Sequence, residues 1–301
     1  MLYLIQGPTA SGKTNLAIEL ALHLNTEIIS ADSRQFYQEM NIGTAKPTMQ
    51  ELKQVRHHFI DNRSLTNPMN VADFEHEAKL ILDQLLATKG SAVITGGSAQ
   101  FIDALVHGLD PIPVFPEIQL TLRNQLKEKG INEIQVLLKN QDLEAFESID
   151  VHNSRRLIRA LEVKLGSGKS ILQFQKNSKI LRYPFKRFVI VWDRQILYNR
   201  INERVDQMLQ EGLEEEVRSL QEFMSLPVLN TVGYKEWIPY FNQTSSKADV
   251  VSKIKQNTRN YAKRQQTWLN KYKDQYPLNP NADISLFDQI LNYVNEGNIP
   301  K

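Results

Sequence analysis

The sequence predicts an α/β fold: a parallel sheet flanked by helices, with a mostly helical insertion. Three observations carry that expectation. Short apolar runs of strand length recur at residues 2–5, 27–30, 91–95 and 188–192. Amphipathic stretches lie between the early ones, with Leu16, Ala17, Leu20, Ala21 and Leu24 at helical spacing, then Phe74, Ala78, Ile81, Leu82 and Leu85. Strands that alternate with helices pair in parallel under helical cover. The alternation then stops after Leu109, where Pro111, Pro113 and Pro116 mark a border, and residues 118–174 show helical periodicity without a strand. The expected division is a core of 1–114 and 186–301 around a helical insertion of 115–185. One or two amphipathic helices are expected over 196–223 and a long basic one over 249–272, with a short mixed tail from Pro277.

Composition narrows the class. With 41% hydrophobic and 23% charged residues, the 301-residue chain is neither disordered, collagenous nor a coiled-coil rod. It contains no cysteine, which excludes disulfides, thiolate nucleophiles and cysteine zinc sites and fits a cytoplasmic protein. The first apolar run is too short for a signal segment, and no run of 18 apolar residues occurs, so no membrane partner is expected. A net charge of +2 does not mark a nucleic-acid binder globally, which leaves local clusters to be weighed.

Gly7-Pro8-Thr9-Ala10-Ser11-Gly12-Lys13-Thr14 fits G-x-x-x-x-G-K-[ST] at every fixed position. It follows a strand and opens a helix, the setting in which loop amides and a helix N-terminus converge on phosphate oxygens. Lys13 supplies a point charge, and the Thr14 hydroxyl is placed for Mg²⁺. Such a cradle usually takes a nucleoside triphosphate, and it suits any diphosphate. A P-loop kinase or ATPase wants a carboxylate at the end of a later strand, yet residues 91–95 run into Gly96-Gly97-Ser98. The second GSGKS-like stretch, Gly166–Ser170, follows a helix and reads as a glycine cap with a turn.

The carboxylate falls at Asp32, at the end of the strand after the P-loop helix. Two readings stand with equal weight: a general base beside the phosphate site, or a cap on the following turn. His57 and His58 are adjacent on an extended segment and point to opposite faces, so one buried, hydrogen-bonded histidine is expected and no zinc site. Lys253 to Lys273 holds seven basic residues, Arg259 and Lys263 among them, interleaved with Tyr261, Trp268 and Tyr272 and free of acids. Arg155, Arg156 and Arg159 make a second basic cluster. Each is either a nucleic-acid backbone surface or a solvated helix face. Glu214-Glu215-Glu216 reads as a solvated face, with Leu213 and Val217 turned inward.

Taken in order, these segments resemble the tRNA dimethylallyltransferase family, the bacterial isopentenyl-tRNA transferases. The resemblance rests on Gly7–Thr14, Ser30–Gln35, Asn41–Pro47, His57–Asp61, Val71–Phe74, Arg156–Glu162, Val232–Glu236 and Ala262–Trp268. It implies transfer of a dimethylallyl group from dimethylallyl diphosphate to N6 of the adenosine just 3′ of the anticodon, in tRNAs that read U-initial codons. It implies that Gly7–Thr14 holds the donor's diphosphate with Mg²⁺ at Thr14, that Arg204 clamps the diphosphate, and that Asp32 takes the proton. It further implies contacts of the tRNA anticodon arm with Asp32, Ser33, Arg34, Gln35, Ser98 and Gln119, with Arg155, Arg156, Leu157, Ile158 and Arg159, and with Asn230, Thr231, Val232, Gly233, Tyr234 and Lys235. Departures from the family pattern occur at Gly96–Phe101, where Ser98 keeps a hydroxyl and Phe101 lacks a phenol, and at Val151–Arg155. A monomer is expected. The competing classes are a P-loop small-molecule kinase that uses ATP and a non-catalytic RNA-binding protein.

Overall fold

The computed structural model describes residues 1–175 and 181–295. Its strands are β1 Leu2–Gln6, β2 Ile28–Ser30, β3 His57–His58, β4 Ala92–Thr95, β5 Phe185–Ile190 and β6 Tyr276–Leu278. They form one sheet in the order β3-β2-β4-β1-β5-β6, parallel throughout. Both faces are covered, so the strands read as continuous apolar runs. Leu2 and Leu4 enter one core with Phe74, Leu82 and Ile94; Tyr3 and Ile5 enter the other with Leu16, Leu20 and Phe188. From β1 the chain passes out beyond the place of β4 to β2, then returns, while β5 adds on the opposite side. The winding therefore reverses at the carboxyl end of β1, where open α/β sheets bind ligands.

The described residues form two compact units, one made of 1–107 with 181–295 and the other of 108–175. The proline segment belongs with the helical unit, because Phe115 N–H donates to Glu162 at 2.8 Å and Arg159 donates to the Ile112 carbonyl at 3.1 Å. That unit therefore begins seven residues before the expected 115. Residues 176–180, inside the expected 115–185 insertion, lie outside the described residues, as do 296–301 of the tail. In the helical unit, helices Pro116–Lys129, Ile131–Gln141, Leu143–Ser148 and Ser154–Ser167 enclose Leu122, Ile134, Leu138, Leu157 and Leu161. Gly168, in left-handed conformation, ends the last of these, which accounts for the second GSGKS-like stretch.

The sequence expectation lacks one strand and several helices found among the described residues. The strand is β6, three residues long, which carries Pro277 at the sheet edge. The helices include Met49–Gln54, Ala99–His107 behind Gly96-Gly97, Ile238–Phe241, and Leu286–Asn295 in the tail, whereas β3 falls on the extended segment expected at His57 and His58. β5 also starts three residues earlier than expected. Lys186 and Arg187 hide its start, and the Arg187 guanidinium is fully buried 3.5 Å from the Tyr272 ring centre.

Candidate active site

The phosphate loop leaves β1 and enters the helix Lys13–His23 at Gly12, whose left-handed conformation has φ 94°. Its shape is fixed from outside. Trp192 Nε1 donates to the Ser11 carbonyl at 3.0 Å, and Arg200 Nε to the Ala10 carbonyl at 2.9 Å. Arg200 also stacks 4.6 Å from the Trp192 ring centre. Within the loop, Lys13 Nζ donates to the Pro8 carbonyl at 2.7 Å. Arg204 lies one turn after Arg200 on the helix Arg194–Gln210, so both face the loop. Arg204 donates to Thr9 Oγ1 at 3.4 Å.

The two carboxylate oxygens of Asp32 have different surroundings. Oδ1 accepts Arg34 N–H at 3.1 Å and caps the turn after β2. Oδ2 lies on the side of Gly97. The two glycines that end β4 make this approach possible. A Cβ at Gly96 would stand 2.2 Å from the Ala31 carbonyl oxygen, and one at Gly97 would stand 3.3 Å from Asp32 Oδ2. β4 itself ends in Thr95, whose hydroxyl donates to the Ile5 carbonyl, so no carboxylate stands there.

Two cavities meet at these groups. One of about 600 Å³ is lined by the loop from Thr9 to Thr14 and by Asp32, Lys46, Arg200 and Arg204. The other, of about 260 Å³, has an apolar flank of Ile201, Val205, Met208 and Ile254 and a polar rim of Ser33, Arg34 and Thr231–Tyr234. Thr9, Asp32, Arg204 and Tyr261 line both. The electrostatics suit an anion. Burial, reinforced by Arg204, lowers the Lys13 pKa to about 8, although Asp32 opposes the shift. Burial also lowers Arg204, again against Asp32. Burial and the Asp32 charge push the Tyr261 phenol up, so it is neutral at physiological pH.

The other expected site residues divide into those at these cavities and those elsewhere. Ser33 and Ser98 pair: Ser33 N–H donates to Ser98 Oγ at 3.0 Å, and their hydroxyls are 3.1 Å apart. Gln35 is occupied by the adjacent wall, where its amide donates to the Thr44 and Ala45 carbonyls at 3.2 and 3.0 Å. Asn230 and Lys235 are exposed, whereas Tyr234 is fully buried. In the helical unit, Arg155 and Arg156 are exposed, and Leu157 and Ile158 are core residues. Those two side chains therefore point inward, and the stretch offers a ligand its arginines instead. Gln119 donates to the fully buried Glu162 at 2.9 Å, and Arg159 does so at 2.7 Å, so both brace the unit's interior.

Three further readings change. His57 and His58 are both hydrogen-bonded, to the Val55 carbonyl at 2.9 Å and to Glu27 at 2.6 Å, where one was expected; His57 lines the larger cavity. Glu216 is not a solvated residue: its carboxylate accepts the backbone N–H groups of Asn41, Ile42 and Gly43 and the Tyr234 hydroxyl. The basic helix is only partly free for a ligand, since Arg259 donates to Asn202 at 2.7 Å and Lys255 pairs with Asp206. Lys263, Arg264 and Lys271 remain exposed around Trp268. Sequence reasoning missed Arg200, Trp192, Tyr261 and Gln265 as parts of the site. For the last two, the only available signal was their position in and beside Ala262–Trp268.

Sheet, loop and cavities define an α/β protein in which a glycine-rich loop, Lys13 and Arg204 face one cavity with the carboxylate of Asp32. A family model described as IPP transferase matches residues 35–272. A tRNA dimethylallyltransferase of Christiangramia forsetii is 47% identical over 274 residues, covering 89% of this chain and 90% of that one. A tRNA dimethylallyltransferase 1 of Bacteroides thetaiotaomicron is 38% identical, covering 96% and 94%. Among solved structures, the full-length tRNA isopentenylpyrophosphate transferase of Bacillus halodurans superposes with a TM-score of 0.72 at 31% identity, over 98% of this chain and 94% of that one. A eukaryotic dimethylallyltransferase acting on tRNA superposes with a TM-score of 0.84 at 23% identity, over 100% and 81%, and shares the fold. The chain belongs to the IPP transferase family, the tRNA dimethylallyltransferases, and is a transferase.

Proposed function

We propose that this protein transfers a dimethylallyl group from dimethylallyl diphosphate to N6 of the adenosine 3′ of the anticodon, in tRNAs that read U-initial codons. The observation that carries this reading is that Thr9, Asp32 and Arg204 line both cavities. A diphosphate held by the loop and a base entering the second cavity then meet at one carboxylate. The exocyclic amine attacks C1 of the donor, the C1–O bond breaks, and the diphosphate leaves with the electron pair. The N6 proton passes to the Asp32 carboxylate. Lys13, Arg204 and the loop amides neutralise the charge that develops on the leaving group. The adenosine must leave its stack to reach the cavity, as for other base-modifying enzymes.

The Thr14 hydroxyl lines the larger cavity, and no cluster of three acidic or histidine side chains stands ready to cage a cation among the described residues. That donor set fits Mg²⁺, which keeps waters and relies on substrate phosphates for its remaining ligands. When bound, the ion would add positive charge at the leaving diphosphate. No described helix is long and apolar enough to cross a membrane, in keeping with a cytoplasmic enzyme that meets tRNA there.

A kinase is the competing P-loop class, and Thr95 at the end of β4 speaks against it. Labelled dimethylallyl diphosphate, Mg²⁺ and tRNA lacking the modification test the proposal. Label on the one adenosine beside the anticodon is expected. ATP-dependent phosphorylation of a small acceptor without prenyl transfer would favour the kinase.

A further inference from the structure

The segment Ala262–Trp268 reads from its charges as a basic surface, yet its buried polar member is an amide. Gln265 is 9% exposed and lies inward with Ala262 and Leu269. Both ends of its side chain are engaged: Oε1 accepts Thr9 N–H at 2.8 Å, and Nε2 donates to the Gly97 carbonyl at 3.1 Å. One side chain thus ties the phosphate loop to the end of β4, across segments remote in sequence. The junction falls at Asp32. A Cβ on Gly97 would lie 2.7 Å from Gln265 Nε2, 3.3 Å from Asp32 Oδ2 and 3.5 Å from the Tyr261 hydroxyl. Three side chains converge on a point that only glycine leaves open.

We propose that Gln265 is a positioning residue for the transfer step, which holds Thr9 of the phosphate loop and Asp32 at the end of β2 in a fixed relation through Thr9 N–H and Gly97. This rests on the reading of Asp32 as the base. An amide suits the position because it offers one acceptor and one donor at its tip. A carboxylate there would still accept Thr9 N–H, but it would face the Gly97 carbonyl without a proton and put a second negative charge beside Asp32. The charged and titratable groups acting on Asp32 or its neighbours are Lys13 from the loop helix, Arg200, Arg204 and Glu211 on and just after the helix Arg194–Gln210, Arg34 in Asp32's own turn, and Tyr261 and Arg264 from the long helix.

The test uses the full-length enzyme with Mg²⁺, labelled dimethylallyl diphosphate and unmodified tRNA. Single-turnover rates, the KM for each substrate and pH profiles are measured for Gln265→Leu, Gln265→Glu, Gly97→Ala and Asp32→Asn. Gln265→Leu is expected to lower kcat roughly 10- to 100-fold, the cost of a misplaced reacting group, with the tRNA KM nearly unchanged. Gly97→Ala, which drives a Cβ toward Nε2, should reproduce that loss if the variant at 265 folds poorly. Gln265→Glu should also move the acid limb of kcat/KM upward by about one pH unit, because a like charge disfavours ionised Asp32. A near-wild-type kcat in Gln265→Leu, or an unmoved acid limb in Gln265→Glu, would overturn the proposal. If Asp32→Asn keeps the wild-type rate and acid limb, it is the base reading that fails, and the Gln265→Leu rate alone then decides positioning.

Discussion

Tyr234 and Glu216 are joined by a hydrogen bond of 2.7 Å from the buried phenol to the carboxylate. The same carboxylate accepts the backbone N–H groups of Ile42 at 2.7 Å and of Asn41 and Gly43 at 3.0 Å. The partners belong to two loops that share the wall of the apolar-flanked cavity, with Gly43 and Thr44 on one and Thr231–Tyr234 on the other. One side chain therefore fixes two walls of the proposed base pocket.

Glu216→Ala strands several donors at once. A buried donor left unsatisfied costs about 1–3 kcal/mol. Thermal unfolding is expected to show a loss of that order, and kcat/KM for tRNA should fall. Donor binding at the phosphate loop should hold, since no hydrogen bond of Glu216 reaches the loop. A variant with the wild-type melting temperature and wild-type tRNA kinetics would remove the clamp.

Lys13 is expected to set the alkaline limit of donor binding. Its folded-state pKa of about 8 lies below the ordinary lysine value of 10.5, chiefly through burial. Below pH 8 it carries the charge that the diphosphate needs, and above pH 8 the unliganded enzyme loses it. The kcat/KM for the donor should therefore decline above about pH 8. The stability sign follows from proton binding. Between about pH 8 and 10.5 the unfolded chain binds more protons at this site than the folded one, so the lysine's contribution favours folding more as pH rises through that window. A profile for Lys13→Arg that keeps the wild-type alkaline limb would assign that limb elsewhere.

Arg204 reaches Thr9 and lines both cavities. Arg204→Ala is expected to raise the donor KM at least tenfold and to lower kcat. Arg204→Lys should restore little, because an ammonium lacks the planar fork that pairs with phosphate oxygens. Donor titrations of both variants check this, and full recovery by lysine would reduce the role of Arg204 to charge alone.

The basic helix separates into braced and exposed members. Lys263 and Lys271 are exposed beside Trp268, and Lys271 lies 5.1 Å from the Trp268 ring centre. Replacing both with alanine should weaken tRNA binding and flatten its log–log salt slope by about one to two units. Arg259→Ala, by contrast, removes a hydrogen bond to Asn202 and should act on stability. An unchanged slope in the double variant would return this face to solvent.

Much of the frame was legible because it is local. A strand, a glycine-rich loop and an amphipathic helix follow one another within 24 residues, and period and motif agree there. Asp32 was legible as a choice between two roles; Oδ1 makes the cap, and the base role belongs to the proposed reaction. The rest depends on partners distant in the chain. Nothing near Gln265 in sequence announces Thr9 or Gly97. Glu216 sits in a run of three glutamates, where charge argues for solvent, until the turn at residues 41–43 supplies three amides. Arg159 and Gln119, which the resemblance assigns to the anticodon arm, both donate to one buried carboxylate, Glu162, and Gln119 lies 43 residues from it in the chain.

The most direct measurement is single-turnover prenyl transfer by Asp32→Ala on unmodified tRNA with labelled dimethylallyl diphosphate, alongside tRNA affinity. A rate lower by about 10²- to 10⁴-fold, with tRNA affinity nearly intact, is expected of a lost general base. A rate near that of the unaltered enzyme would contradict the assignment of Asp32 as the base where the two cavities meet.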